Sequence, residues 1–510
     1  MDLSELISGL DLRVVGDAAG VRVCDITEDS RTAVPGSLFI ARAGLSSDGR
    51  AYAGAAVECG AVVVLSDSAD LDIEGRAKPV VLVSGHVARD GAVLAERFYG
   101  EPSDSLEVIG VTGTNGKTSV ATMARAVLAS AKVRCGLIGT VEVDDGREVA
   151  PAGMTTPPAV ELSRTLATMV DSGCVAAAIE VSSHALHQRR ADAVRFAAGV
   201  FTNITGDHLD YHKTPEAYLA AKRRLFELLP DDAARVLNAD DPASASMDAP
   251  NARWCSAAGD ARAAWTVGVD GRTLDGMDLR IGSPVGAIAG RVGLVGSYNA
   301  MNVLQALASA DAVLEKRGLG ADERRYALER GLGAIRPVRG RLERVSGADD
   351  DLAVFVDFAH TDDALRSTLG AVREVIGDRR LCAVFGCGGD RDATKRPRMG
   401  AAAAEMADRV ILTSDNPRRE SPGSIIDAVL NGIAEDRRAD VEVHADRARA
   451  IRGALLDAVP GDVVVIAGKG HETEQISSDG AGNLVSSRFD DAEVARRFLR
   501  ERRLRGGVPA

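Results

Sequence analysis

Short apolar runs alternate with longer, alanine-rich runs of helical spacing through the middle of the chain. The run 106–111 predicts a buried strand, a glycine-rich loop follows it, and the spacing over about 118–131 predicts a helix. Three further strands are predicted at 136–138, 176–181 and 199–203, and a helix is predicted at 159–172. This alternation predicts a largely parallel sheet, and such sheets bind ligands at the carboxyl ends of their strands.

The same alternation recurs before and after this middle region. Near the N-terminus, strands are predicted at 38–41, 61–65 and 80–83, and helices are predicted at 52–59 and 87–99. Toward the C-terminus, strands are predicted at 354–357, 381–385, 410–413 and 463–467. Residues 100–103 have the composition of a linker, and a new α/β unit begins near residue 339. We therefore expect an α/β protein with domains at 1–104, 105–338 and 339–510.

Composition and charge limit the function classes. A chain of 510 residues exceeds what one hydrophobic core usually serves, which agrees with about three domains. The net charge of −13, without a long Lys/Arg run, argues against nucleic acid or an anionic membrane as the main partner. Seven scattered cysteines without a C-x-x-C pair indicate reduced thiols and a cytoplasmic location. We see no signal peptide and no apolar run near the ~20 residues of a membrane span.

The glycine-rich loop after the first strand of the middle region predicts nucleotide binding. Backbone N–H groups at a helix start face an anion, a lysine reaches the outer phosphates, and a hydroxyl holds Mg²⁺. The residues of this loop and helix start are Gly113, Thr114, Asn115, Gly116, Lys117, Thr118 and Ser119. The spacing departs from G-x-x-x-x-G-K-[ST] because Val111 stands where the first glycine belongs. The alternative is a glycine-rich turn that contains a lysine by chance.

Polar residues follow the predicted strands of the middle region. Thr155 and Thr156 open a helix, where hydroxyls and free N–H groups suit an anion; an ordinary helix cap is the alternative. Glu180 ends one apolar strand, and His208 follows the next. Near a phosphate loop, this carboxylate and imidazole could share one Mg²⁺, although histidine is an uncommon ligand of that ion.

Lys222 is unusual because helical spacing places it on an apolar face with Tyr218, Leu225, Phe226 and Leu229. One interpretation is a snorkelling lysine whose amine reaches solvent. The other is a desolvated lysine with a lowered pKa, whose neutral amine adds CO₂ and becomes a carbamate that binds metal. The sequence leaves both interpretations open.

Four polar clusters follow the four predicted strands of the C-terminal region, which indicates a binding face. They include Asp357, Arg391, Asp415, Asn416, Arg418, Gly468 and Glu472. Because arginines pair with carboxylates and acidic groups hold an ammonium, this mixture suits a zwitterion. Before this region, Asn299 and Asn302 share one face of a predicted helix, where they either contact a nucleotide or cap the helix.

Taken in order, these motifs resemble those of the Mur ligases of peptidoglycan synthesis, and the resemblance covers nearly the whole chain. The motifs are Asp29-Ser-Arg31, Asp48-Gly-Arg50, Gly113 to Thr118, Glu180 to His184, Asp207 to His212, Phe385 to Asp392, Asp415 to Arg418 and Gly468 to Glu472. The resemblance implies three domains: an N-terminal α/β domain that binds UDP, a central P-loop parallel-sheet ATPase, and a C-terminal Rossmann-like α/β domain that binds the incoming amino acid.

The resemblance also implies roles for individual residues. ATP contacts are implied for the glycine-loop residues 113–119 together with Asn299, Arg341 and Asp357. Contacts with UDP-N-acetylmuramoyl-L-Ala-D-Glu are implied for Ser30, Thr155, Thr156, Ser182, Gln188 and Arg190. Mg²⁺ binding is implied for Thr118, Glu180, His208 and a carbamylated Lys222, and the implied catalytic residues are Lys117, Glu180, His208 and Lys222. Contacts with meso-2,6-diaminopimelate are implied for Arg391, Asp415, Asn416, Arg418, Gly468 and Glu472.

The implied reaction is ATP-dependent amide formation between the D-glutamyl carboxylate and diaminopimelate through an acyl phosphate, by a cytoplasmic monomer. Asp-Asn-Pro-Arg is the family's pattern for diaminopimelate. Phe358, Asp362, Thr473 and Glu474 depart from the family's usual residues. Phe358 and Asp362 affect the expected shape beside adenine, and the other two affect the rim of the amino-acid pocket.

Four alternatives remain at this point. A related ligase adds lysine or ornithine, and a folylpolyglutamate synthetase would not need the N-terminal uridine domain. A non-catalytic nucleotide-binding protein on the same fold is a different class, against which the intact Lys117, Glu180, His208 and Lys222 count. A simple P-loop switch would leave the C-terminal polar clusters unexplained.

Overall fold

The computed structural model describes residues 1–44, 47–73 and 78–505, so residues 506–510 of the predicted C-terminal domain lie outside it. The first α/β unit contains β1 Arg13–Val15, β2 Asp25–Thr27, β3 Ser37–Ile40, β4 Val63–Ser66, β5 Val80–Val83, α1 Leu3–Leu6, α2 Ala53–Glu58 and α3 Val87–Phe98. Its five-stranded sheet has the order β1-β5-β4-β3-β2, and only the β1–β5 pair is antiparallel.

The middle unit is built on an eleven-stranded sheet. Its strands are β6 Glu107–Thr112, β7 Cys135–Ile138, β8 Glu142–Asp144, β9 Val149–Pro151, β10 Ala176–Glu180, β11 Phe196–Phe201, β12 Ala234–Asn238, β13 Ala252–Ser256, β14 Trp265–Thr273, β15 Gly276–Gly282 and β16 Ile288–Val292. Its helices are α4 Lys117–Ser130, α5 Ala159–Asp171, α6 Ser183–His187, α7 Leu209–His212, α8 Pro215–Glu227, α9 Tyr298–Lys316 and α10 Ala321–Ala334.

The strand order of this sheet is β16-β15-β14-β13-β12-β11-β6-β10-β7-β8-β9. The strands from β14 to β7 in this order run parallel, and antiparallel strands extend both edges. β6 lies between β10 and β11, where Val111 pairs with Glu180 on one side and Val200 on the other. The loop after β6 therefore begins beside the ends of both neighbouring strands.

The C-terminal unit contains β17 Glu343–Arg344, β18 Ala353–Asp357, β19 Leu381–Phe385, β20 Arg409–Thr413, β21 Val441–His444, β22 Val463–Ala467, β23 Glu474–Ser478, β24 Leu484–Arg488, α11 Asp362–Ile376, α12 Lys395–Met406, α13 Pro422–Leu430, α14 Arg447–Leu456 and α15 Asp491–Arg505. Its six-stranded sheet has the order β17-β18-β22-β19-β20-β21, parallel except for β17, while β23 and β24 form a separate antiparallel hairpin.

The α/β architecture and the largely parallel middle sheet are confirmed. The strands predicted at 80–83, 381–385 and 463–467 are correct to the residue. The strand predicted at 199–203 is misplaced, because β11 runs Phe196–Phe201. Phe196 is fully buried and packs where a side chain at Gly110 would stand, while Thr202 and Asn203 lie beyond the strand and bond to Asn115 of the glycine loop. Within the described ranges, no helix combines the length and apolar character that a membrane crossing requires.

Candidate active site

The glycine loop lies against the end of β11 and against α9. A Cβ atom on Gly113 would stand 1.8 Å from the Thr202 hydroxyl, and one on Gly116 would stand 2.5 Å from Oδ1 of Asn302. Both glycines have positive φ angles, 146° and 86°. The ammonium of Lys117 turns back onto the loop and donates to the carbonyls of Gly113 (2.9 Å) and Thr114 (2.8 Å). This tight, cation-bearing turn at a helix start suits a phosphate chain.

The rest of the loop is fixed by polar groups that follow β11. The Asn115 N–H donates to Oδ1 of Asn203 at 3.0 Å, and the Thr202 hydroxyl donates to the Asn115 carbonyl at 2.6 Å. The Thr114 hydroxyl lies 3.1 Å from the Tyr218 hydroxyl. Ser119 is buried in the first turn of α4. The predicted loop residues are thus held in one conformation by the neighbouring strand and by α8.

Glu180 is buried at the end of β10, and both its carboxylate oxygens accept hydrogen bonds. The Thr118 hydroxyl donates to Oε2 at 3.0 Å, while Thr140 donates through its N–H to Oε1 (2.6 Å) and through its hydroxyl to Oε2 (2.9 Å). Arg341, from the start of the C-terminal unit, donates to the Thr118 hydroxyl at 3.0 Å. Carboxylate and hydroxyl oxygens are the donors that Mg²⁺ prefers.

His208 follows β11 in a left-handed conformation with φ 55°, and its N–H donates to Asp207 at 2.8 Å. Burial lowers the pKa of His208 to about 4, so its imidazole is neutral near pH 7 and able to ligate a cation. The Lys117 ammonium lies within electrostatic reach of both Glu180 and Asp207. Among the described residues, no three His, Cys, Asp or Glu side chains form a metal-binding group, so a metal here would also need hydroxyl, phosphate or modified-lysine oxygens.

Lys222 is only 1% exposed, which excludes the snorkelling interpretation. Its Nζ atom donates to the Gly113 carbonyl at 2.6 Å and stands 4.2 Å from the centre of the Tyr218 ring. Burial, followed by the charge of Lys117, lowers the pKa of Lys222 well below its ordinary value. No sequence motif marks Thr140, and no sequence pattern predicts the contact of Lys222 with the glycine loop.

Five residues predicted to hold the UDP-linked substrate form one hydrogen-bond network beside Glu180. They are Thr155, Thr156, Ser182, Gln188 and Arg190. The Thr156 hydroxyl donates to the Glu180 carbonyl at 2.7 Å and accepts from the Ser182 N–H at 3.0 Å. Arg190 donates to the Thr156 carbonyl (2.7 Å) and to Gln188 (2.8 Å), and the Thr155 and Thr140 hydroxyls lie 3.1 Å apart. Ser30 belongs to the N-terminal unit instead, in the turn Ser30–Thr32.

Asn299, Arg341 and Asp357 lie at the junction of the middle and C-terminal units. Asn299 donates to the Val295 carbonyl at 2.8 Å. Burial raises the pKa of Asp357, whose carboxylate accepts from the Leu342 N–H at 2.6 Å. The Arg341 guanidinium lies 4.6 Å from the centre of the Phe358 ring, so the unusual phenylalanine packs on a predicted ATP contact.

Residues predicted to bind the amino acid meet at the ends of β20 and β22. Asn416 donates to Glu472 at 2.8 Å, and a Cβ on Gly468 would stand 2.6 Å from the Asp415 carboxylate. Lys469 belongs to one of the predicted polar clusters but has no predicted role, because a lysine between two glycines carries no signal of burial. It is fully buried and donates to Asn416 (3.1 Å) and Glu472 (3.0 Å). Burial alone would raise the pKa of Glu472, but the Lys469 ammonium and the hydrogen bonds reverse the shift and lower it.

Two arginines complete this cluster. A Cβ on Gly388 would stand 3.1 Å from Nη1 of Arg418 and 3.7 Å from Cγ of Arg391, so the two side chains flank one glycine turn. Arg418 has a positive φ of 51°, and its N–H donates to the Ile476 carbonyl of β23 at 3.0 Å. Burial, and then the neighbouring charge of Arg391, lower the pKa of Arg418. Such a pair of cations favours an anionic partner.

Comparison with known proteins agrees with this geometry. The family model for the Mur ligase middle domain matches residues 111–310, and the model for the Mur ligase glutamate ligase domain matches residues 340–470. A protein of Gloeobacter violaceus named UDP-N-acetylmuramoyl-L-alanyl-D-glutamate--2,6-diaminopimelate ligase is 42% identical over 519 residues, covering 99% of both chains. A protein of the same name from Chlorobaculum tepidum is 42% identical over 485 residues, covering 93% of both chains.

A solved structure titled with the same ligase name superposes with a TM-score of 0.67 at 31% sequence identity. The superposition covers 98% of this chain and 99% of the other. The similarity therefore extends over all three units rather than over the nucleotide-binding part alone.

Proposed function

This chain belongs to the Mur ligase family, and from that membership we propose that it is an ATP-dependent amide ligase of peptidoglycan precursor synthesis. It adds meso-2,6-diaminopimelate to the D-glutamate of UDP-N-acetylmuramoyl-L-Ala-D-Glu. The observation that carries the proposal is 42% identity over 99% of both chains to a relative named for this reaction. The cluster of Arg391, Arg418, Asp415 and Glu472 supports it, since its charges complement a zwitterion with a second carboxylate.

The nucleotide and the dipeptide substrate bind on either side of Glu180. ATP occupies the glycine loop, with Lys117 and Arg341 facing its phosphates. The oxygens of Thr118 and Glu180 and the neutral imidazole of His208 suit Mg²⁺, which supplies positive charge that screens the phosphates from an attacking carboxylate. Asn299, Asp357 and the remaining loop residues complete the nucleotide contacts.

The reaction has two displacement steps. An oxygen of the D-glutamyl γ-carboxylate attacks the γ-phosphorus of ATP, the bond from that phosphorus to the ADP oxygen breaks, and ADP leaves. The diaminopimelate amine then attacks the acyl carbon of the acyl phosphate, inorganic phosphate leaves with the bonding electrons, and the amine loses a proton. Lys117 reduces the repulsion between the two anions in the first step, while Thr155, Thr156 and Arg190 hold the carboxylate-bearing substrate.

Lys222 is proposed to act as a carbamate. Its burial and the nearby Lys117 favour the neutral amine, which is the form that adds CO₂. The carbamate replaces a neutral amine beside the glycine loop by an anion with two oxygen donors. This would supply the oxygen ligands that a second cation needs in a place where the described residues offer few carboxylates.

Arg418 is proposed to set the choice of amino acid. Diaminopimelate carries a distal carboxylate that lysine and ornithine lack, and the paired charges of Arg418 and Arg391 favour that carboxylate. A substrate without it would leave the half-buried guanidinium without its anion, at a cost of about 1.5–3 kcal/mol, or roughly tenfold to 150-fold in kcat/KM. The fork of an arginine suits a carboxylate better than a point charge does.

The test is ADP release in the presence of UDP-N-acetylmuramoyl-L-Ala-D-Glu with meso-diaminopimelate, L-lysine or L-ornithine. We expect turnover with diaminopimelate and much slower turnover with the other two. Arg418→Gln should remove most of this preference, while the matched control Arg419→Gln changes an exposed neighbour and should keep it. Equal rates with all three amino acids in the wild type would contradict the role of Arg418. A cytoplasmic location and a monomeric state remain predictions.

A further inference from the structure

Arg447 is a buried arginine that the proposed reaction does not use. It begins α14, and its side chain, like that of Asp491 at the start of α15, is 0% exposed. The two form a forked pair, Nε to Oδ1 and Nη2 to Oδ2, both at 2.7 Å. A buried charge pair of this kind is tolerated because each charge meets an opposite one with good geometry.

The remaining N–H groups of Arg447 reach two strand ends. Nη2 donates to the Ala467 carbonyl at 2.9 Å, and Nη1 donates to the Ser414 carbonyl at 3.2 Å. Ala467 is the last residue of β22 and directly precedes Gly468. Ser414 follows the last residue of β20 and directly precedes Asp415. One guanidinium therefore contacts the residue before each of the two segments assigned to the amino-acid substrate.

These two strands are not neighbours in the sheet, because β19 lies between β22 and β20. No ladder of hydrogen bonds joins β20 to β22 directly. Within the sheet, the distance between their ends is therefore set indirectly, through β19. Beyond the sheet, the two segments approach closely, since a Cβ on Gly468 would stand 2.6 Å from the Asp415 carboxylate. Side-chain bonds of Asn416 with Glu472 and Lys469 join the two segments farther out. Arg447 instead joins the backbone at the two strand ends from which both segments start.

We infer that Arg447, held by Asp491, is a positioning residue that sets the spacing between the segments 415–418 and 468–472 of the amino-acid pocket. This inference rests on the proposed function of that pocket. Arg447 makes four such bonds, two forked onto the Asp491 carboxylate and one to each carbonyl. A lysine ammonium carries three N–H donors on a single nitrogen and cannot reproduce all four. Arg447 acts through Asp415 and Gly468 and does not touch the substrate.

The test is Arg447→Lys, with KM measured separately for diaminopimelate, ATP and the UDP-linked dipeptide in the full-length enzyme. We expect KM for diaminopimelate to rise about tenfold or more, while the other two stay within about twofold, because only the amino-acid segments lose their support. The control is Arg253→Lys, which alters another arginine that pairs with a buried aspartate, Asp311, on the middle unit. It should lower the melting temperature without changing KM for diaminopimelate.

Asp491→Asn is the second variant. It keeps an oxygen acceptor for Arg447 but removes the charge, so a smaller rise of the same KM is expected, and it decides the question if Arg447→Lys does not fold. An unchanged KM for diaminopimelate, or a parallel rise of all three KM values, would overturn the inference. If the wild type proves to use a different amino acid, the proposed function fails, and the same KM comparison with that amino acid still judges Arg447.

Discussion

Gly468→Ala is a sharp test of the amino-acid pocket, because it adds one methyl group beside one carboxylate. Gly468 has a φ of +111°, and the new Cβ would stand 2.6 Å from Oδ2 of Asp415. Ordinary contacts of this kind begin near 3.4 Å, so the carboxylate must withdraw by about 0.8 Å. This withdrawal displaces a carboxylate that is predicted to contact the substrate.

The magnitude follows from the hydrogen bond that is lost. A hydrogen bond between a charged carboxylate and a substrate ammonium contributes about 1.5–3 kcal/mol. At about 1.4 kcal/mol for each factor of ten, kcat/KM for diaminopimelate should fall roughly tenfold to 150-fold. The positive φ adds about 1–3 kcal/mol of backbone strain, which lowers folding stability but acts on every substrate equally.

The assay is initial-rate ADP release with diaminopimelate varied and the other two substrates saturating, followed by the same experiment with ATP varied. The matched control is Gly461→Ala, whose φ is +93° and whose new Cβ would meet nothing within 4 Å. It carries the strain without the clash. We expect a lower melting temperature in both variants and a loss of kcat/KM for diaminopimelate in Gly468→Ala alone.

Two outcomes would refute this reasoning. If folded Gly468→Ala keeps kcat/KM for diaminopimelate within twofold of the wild type, Asp415 does not hold the substrate. If kcat/KM falls equally for diaminopimelate and ATP, the methyl group disturbs the whole active site and the pocket assignment is wrong.

Lys222→Ala should lose most activity and regain part of it with added short carboxylates, whereas full turnover without rescue would exclude a functional carbamate. Thr140→Val removes the hydroxyl that donates to Glu180 at 2.9 Å, so kcat should fall about tenfold in steady-state ADP release. The control is Thr165→Val, which removes a half-buried hydroxyl that donates to the Glu161 carbonyl within α5 and should leave kcat unchanged. His212 has its pKa lowered from 6.5 to about 4 by burial, so the folded state binds fewer protons than the unfolded one. The contribution of His212 to stability should therefore be fully present above pH 6.5 and be lost as the pH falls toward 4. His208 titrates in the same direction, so His212→Gln should reduce, without abolishing, the fall of the melting temperature over that interval in a pH series of thermal unfolding.

The position of Lys222 shows what the sequence could predict. Helical spacing placed it among apolar residues of α8, and the structure buries it to 1% exposure. Local periodicity suffices for this, because a helix face is decided by residues within two turns of one another. The contact of Lys222 with the carbonyl of Gly113 spans 109 residues of sequence and could not be predicted from spacing.

Thr140, Lys469 and Arg447 escaped prediction for the same reason. Thr140 bonds to Glu180, 40 residues away, and nothing around it forms a motif. Arg447 is a buried cation whose carboxylate partner, Asp491, lies 44 residues away. Lys469 is buried with one local carboxylate partner, Glu472, and with Asn416, which lies 53 residues away. The order of apolar runs in the sequence was enough to predict which polar residues follow the strands. The side chains that hydrogen-bond to those residues come from elements far along the chain, and no local pattern predicts them.

Glu180 explains why the nucleotide loop and the dipeptide network lie so close together. Its side chain accepts from Thr118 on the glycine loop, and its backbone carbonyl accepts from Thr156 in the substrate network. One residue thus fixes the separation of the two sites. Arg341 extends the same chain of bonds to the C-terminal unit through Thr118. In the proposed reaction a phosphoryl group passes between these two sites and the amine arrives from the C-terminal unit, so we expect substitutions at Glu180 to disturb the binding of more than one substrate.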